Sequence, residues 1–146
     1  MKMAATIDFN DTFLKELWTA DHDIDTDVIK VALMADGFTF DKTSDTAFNN
    51  TSEIASDAFG GYTTGGATIG SIAVAVSAGV VNVSAANVIW SPTGGAMAEA
   101  GFGVVYNSSK ADQIIMYIDF GALYTTTDGQ QLTINFSAGF ATSQQA

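Results

Sequence analysis

The sequence has 146 residues, the usual size of one domain, with 16 acidic residues against five Lys, no Arg and a formal net charge of −11. Nucleic acids and anionic membrane surfaces are bound by clustered positive charge, and these Lys are scattered singly, so the composition argues against both kinds of partner. The hydrophobic fraction of 47% is high for a soluble domain, which predicts that part of the surface is covered. There is no cysteine, so disulfides and thiolate metal sites are excluded.

Targeting and membrane segments are not predicted. The N-terminal residues carry one positive charge but no apolar run of signal-peptide length, so we expect no Sec-type export. The longest weakly polar run, residues 67–83, is interrupted by Ser, Thr, Asn and Gly, and it is too broken for a spanning helix.

The first predicted element is a helix over about residues 9–20. Its apolar face is formed by Phe9, Phe13, Leu14 and Leu17. Asp8 is placed to cap this helix, and Asp11 lies in the first turn, where its charge suits the helix dipole. We expect the helix to pack on a sheet.

Four aspartates at alternate positions follow the helix, a spacing that resembles the start of a calcium loop. They are Asp21, Asp23, Asp25 and Asp27. The Gly and Glu that an EF-hand needs at its sixth and twelfth positions are replaced by Thr26 and Ala32. The preferred interpretation is therefore a solvated loop, with the four aspartates kept only as candidate metal ligands and no cofactor expected. His22, the single histidine, is likewise predicted to be solvated.

Residues 28–34 are predicted to form a strand, with Ile29, Val31 and Leu33 facing the core and Lys30 on the other face. Residues 35–57 then form a long polar loop, and loops of this length are usually functional or anchored on a partner.

Three aromatic residues in this loop, Phe38, Phe40 and Phe48, follow no regular period. Their rings either fold back onto the core or contact a partner, and both alternatives stay open. We take these three and Phe9, in the N-terminal segment, as candidate partner-contact residues.

Two Gly-Gly pairs surround Tyr62, but the Lys and the following helix of a phosphate-binding loop are missing. The glycines are better interpreted as bends, with Tyr62 packing across them. Residues 72–76 and 80–83 are predicted to form a hairpin with Gly79 in the left-handed conformation.

Residues 113–121 are the most strand-like stretch and are predicted to be the centre of the sheet. One face would carry Ile114, Met116, Ile118 and Phe120, and the other Ile115, Tyr117 and Asp119. Further strands are expected at residues 87–90, 96–106 and 131–136.

About eight strands with short turns and no interleaved helices predict a mainly β fold. The expected architecture is an antiparallel β-sandwich or jelly-roll-like barrel with one short N-terminal helix. The whole chain, residues 1–146, is expected to be one domain, with the sandwich over about 26–137 and a loosely held tail over 138–146.

Catalytic groups are few, since the sequence has three Glu, one His and no Cys. Glu53 and Asp57 are the pair that could act as acid and base on a glycan, but nothing in the sequence places two carboxylates in one cleft. We therefore expect no enzyme activity and assign no catalytic residues.

Four segments carry a resemblance by their sequence, order and spacing. They are residues 25–33 (DTDVIKVAL), 61–68 (GYTTGGAT), 86–91 (ANVIWS) and 117–121 (YIDFG). Together they resemble a family of small tailed-bacteriophage virion proteins, over most of the chain from the helix to Gly121. The resemblance implies a structural component of the particle, a capsid decoration or cement protein, with no catalytic residues to carry over.

The resemblance also implies the partners and the location, namely the major capsid protein and other copies of this chain in the virion. A protein with a charge of −11 would be repelled by packaged DNA, so the outer capsid surface is expected. Closed oligomers are usual for such proteins, and a trimer is the first expectation.

Two alternative functions remain. One is a tail or neck structural component. The other is a carbohydrate-binding head-fibre or adhesin module, in which exposed aromatic rings would stack on sugars. The rings considered for this are Trp18, Tyr62, Trp90 and Tyr124.

Overall fold

The computed structural model describes residues 6–59 and 61–136 and the backbone of residues 141–144. Within these ranges the chain forms ten strands and one helix, which confirms the predicted mainly β class with one short helix. The elements are β1 (Thr6–Phe9), α1 (Asp11–Trp18), β2 (Ile29–Met34), β3 (Ala67–Thr68), β4 (Ala73–Ser77), β5 (Val80–Ser84), β6 (Val88–Trp90), β7 (Ala100–Asn107), β8 (Gln113–Tyr124), β9 (Leu132–Ile134) and β10 (Ala141–Gln144). The finer expectation of a jelly-roll-like barrel stays a prediction.

The main sheet has five antiparallel strands in the order β1-β8-β7-β2-β3. Its middle strand is β7, so the prediction that residues 113–121 form the centre was wrong by one strand. Those residues belong to β8, which continues to Tyr124 and is covered on its outer side by β1 alone. β7 and β8 follow each other in the chain and pair as an antiparallel hairpin.

A β-bulge changes the predicted faces of β8. The register shifts between Val105, which pairs with Met116, and Tyr106, which pairs with Ile114. Ile115 is the extra residue, and it joins Met116 in the main core, whereas Ile114 packs on the opposite face. Strict alternation therefore assigned Ile114 and Ile115 to the wrong faces, because a bulge interrupts the period of two.

The main core lies between one face of this sheet and a two-stranded sheet formed by β6 and β9. Ile29, Val31 and Leu33 point into it from β2, which confirms the predicted inward face of that strand. Trp90 and Leu132 are paired in this two-stranded sheet and close the core from the other side. Each such buried side chain contributes about 1.5–3 kcal/mol by leaving water.

Helix α1 begins later than predicted. Residues up to Phe9 are extended and paired in β1, so Asp8 cannot cap the helix. The cap is Asn10, whose side-chain oxygen accepts a hydrogen bond of 2.9 Å from the backbone N–H of Thr12. Only Phe13 is buried on this helix. With eight residues α1 is too short to cross a bilayer, and the described ranges contain no helix longer than α1.

A separate three-stranded sheet has the order β10-β5-β4 and carries the predicted hairpin. Its two-residue turn has φ of 50° at Ala78 and 78° at Gly79, which confirms the left-handed glycine and is typical of a type I′ turn. Residues 141–144, predicted to be part of a loose tail, instead form β10 by pairing with β5. The rest of that predicted tail, residues 138–140 and 145–146, lies outside the described residues.

Candidate partner-contact surface

Residues 35–57, which we call the flap, fold over the second face of the five-stranded sheet. The two ends of the flap are bonded to each other, since the N–H of Ala35 donates to the carbonyl of Ser52, and the flap is bonded to β2, since the N–H of Ile54 donates to the carbonyl of Leu33. In its middle, the N–H of Phe48 donates to the carbonyl of Asp112 at 2.8 Å. The predicted long loop is therefore an ordered cover tied to strands by backbone hydrogen bonds.

The flap aromatics fold back onto the sheet. Phe40 stacks on Tyr117 with ring centroids 5.1 Å apart, and Phe38 tilts against the same ring at 5.8 Å. Phe48 stacks on Tyr106 at 4.3 Å. All three flap rings stay half-buried, so each keeps one exposed side. The first of the two predicted alternatives is confirmed, and the partner-contact role stays a prediction.

The two tyrosines beneath the flap remain neutral over the physiological pH range. Burial, with the nearby charge of Asp119, raises the pKa of Tyr117 to about 12. Burial also raises the pKa of Tyr106 to about 12, helped by the charges of Asp112 and Glu53. Both hydroxyls are thus hydrogen-bonding groups, and that of Tyr106 donates to the carbonyl of Gly65 at 2.7 Å.

Two hollows lie on either side of Phe48. A cleft of about 170 Å³ opens between the two arms of the flap, with Phe40 and Asn49 at its sides and Val104 and Ile114 at its floor. A wider hollow of about 440 Å³ is bounded by Phe48, Lys30, Glu53, Tyr106 and Asp112. Phe48 is therefore the ridge of a surface that combines apolar rings with polar rims, a pattern common at protein interfaces.

Phe9 lies apart from this surface. It stacks on Phe13 with centroids 5.8 Å apart and packs against the main core. The structure therefore brings together Phe38, Phe40 and Phe48 but not Phe9. The sequence interpretation missed Tyr117 as the ring that joins Phe38 to Phe40, although its place on the mixed face of the strand was a usable signal.

His22 is buried, so the prediction that it is solvated was wrong. Its Nε2 lies 2.9 Å from Glu16 Oε2, and its Nδ1 lies 2.9 Å from the side-chain nitrogen of Asn107. Asn107 is fully buried and also donates to Asp27 Oδ2 at 2.7 Å. Each of these polar groups has a partner inside the protein, so His22 turns inward from a loop in which Asp21, Asp23 and Asp25 stay exposed. This role is structural, since the His22 side chain is not exposed to any substrate.

The four candidate metal ligands do not converge. Asp27 bonds to Asn107 and to the N–H of Asp23, whereas Asp21 accepts from Thr19. Burial favours a higher pKa for Asp27, but its hydrogen bonds and the charges of Lys110 and His22 outweigh this and lower the pKa. A hydrogen bond and like charge from Asp23 raise the pKa of Asp25. Among the described residues no three acidic, His or Cys side chains are placed to share a metal ion.

We therefore expect calcium to leave the stability unchanged. In thermal unfolding, about 1 mM Ca²⁺ should shift the Tm by less than 1 °C, because a ligand stabilises only by its binding to the folded state. Magnesium at the same ionic strength is the control for screening. A rise of several degrees with calcium alone would contradict the expectation and restore the four aspartates as ligands.

Glu53 and Asp57, the candidate acid and base, instead hold the segment from residue 57 to 66. Glu53 Oε1 accepts from the Tyr62 hydroxyl at 2.5 Å and from the N–H of Gly65 at 2.6 Å. Asp57 accepts from three backbone N–H groups, including those of Gly61 and Tyr62, and these bonds lower its pKa despite an opposing effect of burial. Tyr62 is buried, and its hydroxyl also accepts a hydrogen bond of 3.0 Å from the N–H of Leu33, while its packing across the glycines stays a prediction.

The candidate sugar-stacking rings are not gathered on one exposed surface. Tyr62 and Trp90 are buried and tilt against each other at 6.3 Å, so neither can stack on a sugar. Tyr124 is half-buried, with an edge contact to Phe120. Trp18 alone of the four is well exposed, at 90% of its surface. Tyr62 and Trp90 are therefore excluded as sugar-stacking rings, because both complete the main core.

Comparison of the chain with protein-family models, with curated proteins and with solved structures gave no significant match. The bacteriophage resemblance therefore stays a prediction.

Proposed function

We propose that this protein is a structural virion protein of a tailed bacteriophage that binds the outer capsid surface and stabilises the shell through protein–protein contacts, without catalytic turnover. Its partners would be the major capsid protein and other copies of itself. The observation that carries the proposal is the contrast between the polar and the apolar groups. Asp57, His22 and the Oε1 atom of Glu53 are occupied by internal hydrogen bonds, whereas the half-buried rings of the flap keep an exposed side and several aliphatic side chains are exposed.

The charge supports an outward position in the shell. With a net charge of −11 the chain is repelled by packaged DNA, and its five Lys are scattered singly along the sequence. A cement protein acts by the surface that it buries between shell subunits, and a stable contact of this kind buries about 1,000 Å² or more. The flap, with its ridge at Phe48 and its two hollows, is the surface that we assign to the shell.

The test uses particles that contain the chain and particles from which it has been removed. The expected result is that stripped particles release DNA at a temperature lower by several degrees, and that adding the purified chain restores the release temperature. The measurement is DNA accessibility to a fluorescent dye during heating. Electron microscopy of labelled particles supplies the location.

A variant on the rim of the cleft links this effect to the flap. Substituting Phe40 or Phe48 by Asp would also disturb the stacking on Tyr117 and Tyr106, so neither change tests binding alone. Thr39 is exposed on the cleft and Thr93 is exposed on a turn elsewhere. We expect Thr39→Glu to weaken rebinding by about tenfold or more, since it places an unpaired charge in the contact, and Thr93→Glu, the matched control, to rebind normally.

Stripped particles as robust as complete ones would contradict the cementing role. A chain found at a tail or a fibre would keep the virion assignment and reject the shell. Equal rebinding by both Thr variants would move the contact away from the flap.

A further inference from the structure

The sheet formed by β4, β5 and β10 carries no charge. No charged side chain occurs between Asp57 and Glu99, and none occurs after Asp128, so all three strands fall in uncharged parts of the sequence. The charged residues of this chain, which give it a net charge of −11, therefore all lie outside these three strands. The hairpin of β4 and β5 is therefore a surface that another anionic body can approach without meeting carboxylates.

One face of this hairpin is built from valines. Residues paired directly across two strands lie on the same face, and Val74 pairs with Val83 while Val76 pairs with Val81. Val83 lies at the base and packs against the main core. Towards the tip the valines emerge, with Val74 exposed over 48% and Val76 over 72% of their surface. An apolar face of this kind, continuous with the core, is typical of an interaction surface.

The outer edge of β4 is also unoccupied by any described strand, because β4 ends the order of its sheet. Ser77 and Val80 flank the two-residue turn and form the hydrogen-bonded closing pair, so the next bonded pair along the strand is Ala75 with Asn82. The backbone N–H and C=O groups of Val74 and Val76 therefore point to the free edge. Such an edge, without Lys or Pro to block it, favours pairing with another strand.

The charge distribution identifies the partner. Two copies of this chain repel each other over most of their surfaces, since each carries a net charge of −11. The hairpin has no charged residue, so two hairpins can meet without bringing carboxylates of the hairpin together. Strands of five residues are about 17 Å long, roughly twice the distance over which physiological salt screens charge. Contact through the hairpins thus keeps the charged parts of two copies apart.

We propose that the β4–β5 hairpin is the self-association surface of this protein, and that it binds the same hairpin of other copies through the valine face and the free edge of β4. Edge-to-edge pairing would join two copies about a twofold axis, and valine faces turned to a common axis would join three. The inference deepens the oligomeric part of the proposed function. It is tested on the purified chain alone, so its failure and the failure of capsid binding are distinguishable.

The experiment is analytical ultracentrifugation of the purified chain over a concentration series in physiological salt. The wild-type chain is expected to form a closed dimer or trimer. Val76→Asp and Val76→Lys should each raise the dissociation constant by about tenfold or more, because either charge would be buried without a partner. The opposite signs of these two variants separate loss of apolar burial from a change in net charge.

Ile7→Asp is the matched control. Ile7 is an exposed β-branched residue on β1, which is an edge strand of the five-stranded sheet. It should associate like the wild type. As a second measurement, Val76→Cys should give a disulfide-linked dimer on mild oxidation and Ile7→Cys should not, and the native chain offers no competing cysteine.

Three results would overturn the proposal. The first is a wild-type chain that stays monomeric at all concentrations, which would leave the hairpin to a different partner such as the shell protein. The second is association unchanged in both Val76 variants while their melting temperatures equal that of the wild type. The third is cross-linking through Cys at position 7 but not at position 76.

Discussion

Gly66→Ala should destabilise the folded chain severely. Gly66 has a φ of 70°, and a Cβ built on it would lie 2.1 Å from the carbonyl oxygen of Val31 and 2.7 Å from the Cα of Ala32. Both atoms belong to the backbone of β2, so no rotation of a side chain relieves the overlap. The free energy of unfolding is expected to fall by more than about 4 kcal/mol. Losses of this size are exceptional and arise from severe overpacking or backbone strain.

The measurement is denaturant unfolding followed by circular dichroism, with Gly37→Ala as the matched control. Gly37 also has a positive φ, 80°, but a Cβ there meets nothing within 4 Å. Gly37→Ala should therefore cost only the strain of the left-handed conformation, about 1 kcal/mol. If the two variants unfold at similar denaturant concentrations, the close approach of Gly66 to β2 is wrong.

Asn107→Ala should be the most damaging change in the polar interior. It removes the side chain that joins His22 to Asp27 and also the oxygen that accepts from the N–H of Ser109. A buried ring nitrogen and a carboxylate oxygen would each lose a partner, and the expected loss is about 3 kcal/mol in the free energy of unfolding.

A double-mutant cycle identifies the network as the cause. Removing His22 as well, in His22→Ala with Asn107→Ala, should cost less than the sum of the two single changes, because they share one interaction. Asn50→Ala, at an exposed position of the flap, is the control and should change stability by less than about 0.5 kcal/mol. Strict additivity of the two losses would show that His22 and Asn107 act independently.

Several elements could be predicted because their signals are local. The alternation in β2 assigns Ile29, Val31 and Leu33 to the core whatever else surrounds that strand, and the turn at Gly79 selects a hairpin by its own backbone geometry. The candidate surface was predicted only in part. The flap aromatics were identified, but Tyr117 and Tyr106, the rings on which they pack, were not.

Other features were missed because they depend on pairing between distant segments. Phe9 fits a helical pattern, yet it is extended, since pairing of β1 with β8 satisfies its backbone and moves the helix cap to Asn10. The bulge at Ile115 follows from the register of β7 against β8, which no single strand encodes.

The sequence by itself determined the mainly β class, the strongly anionic character and the uncharged stretch that contains the hairpin, because composition and period are properties of the chain alone. Only the tertiary structure decided that His22 is buried and that the flap closes over the sheet. His22 stands in an acidic loop that reads as solvated, and its partner Asn107 is 85 residues away in the chain. Whether a polar side chain is buried depends on finding such a partner, and that is decided when the strands assemble.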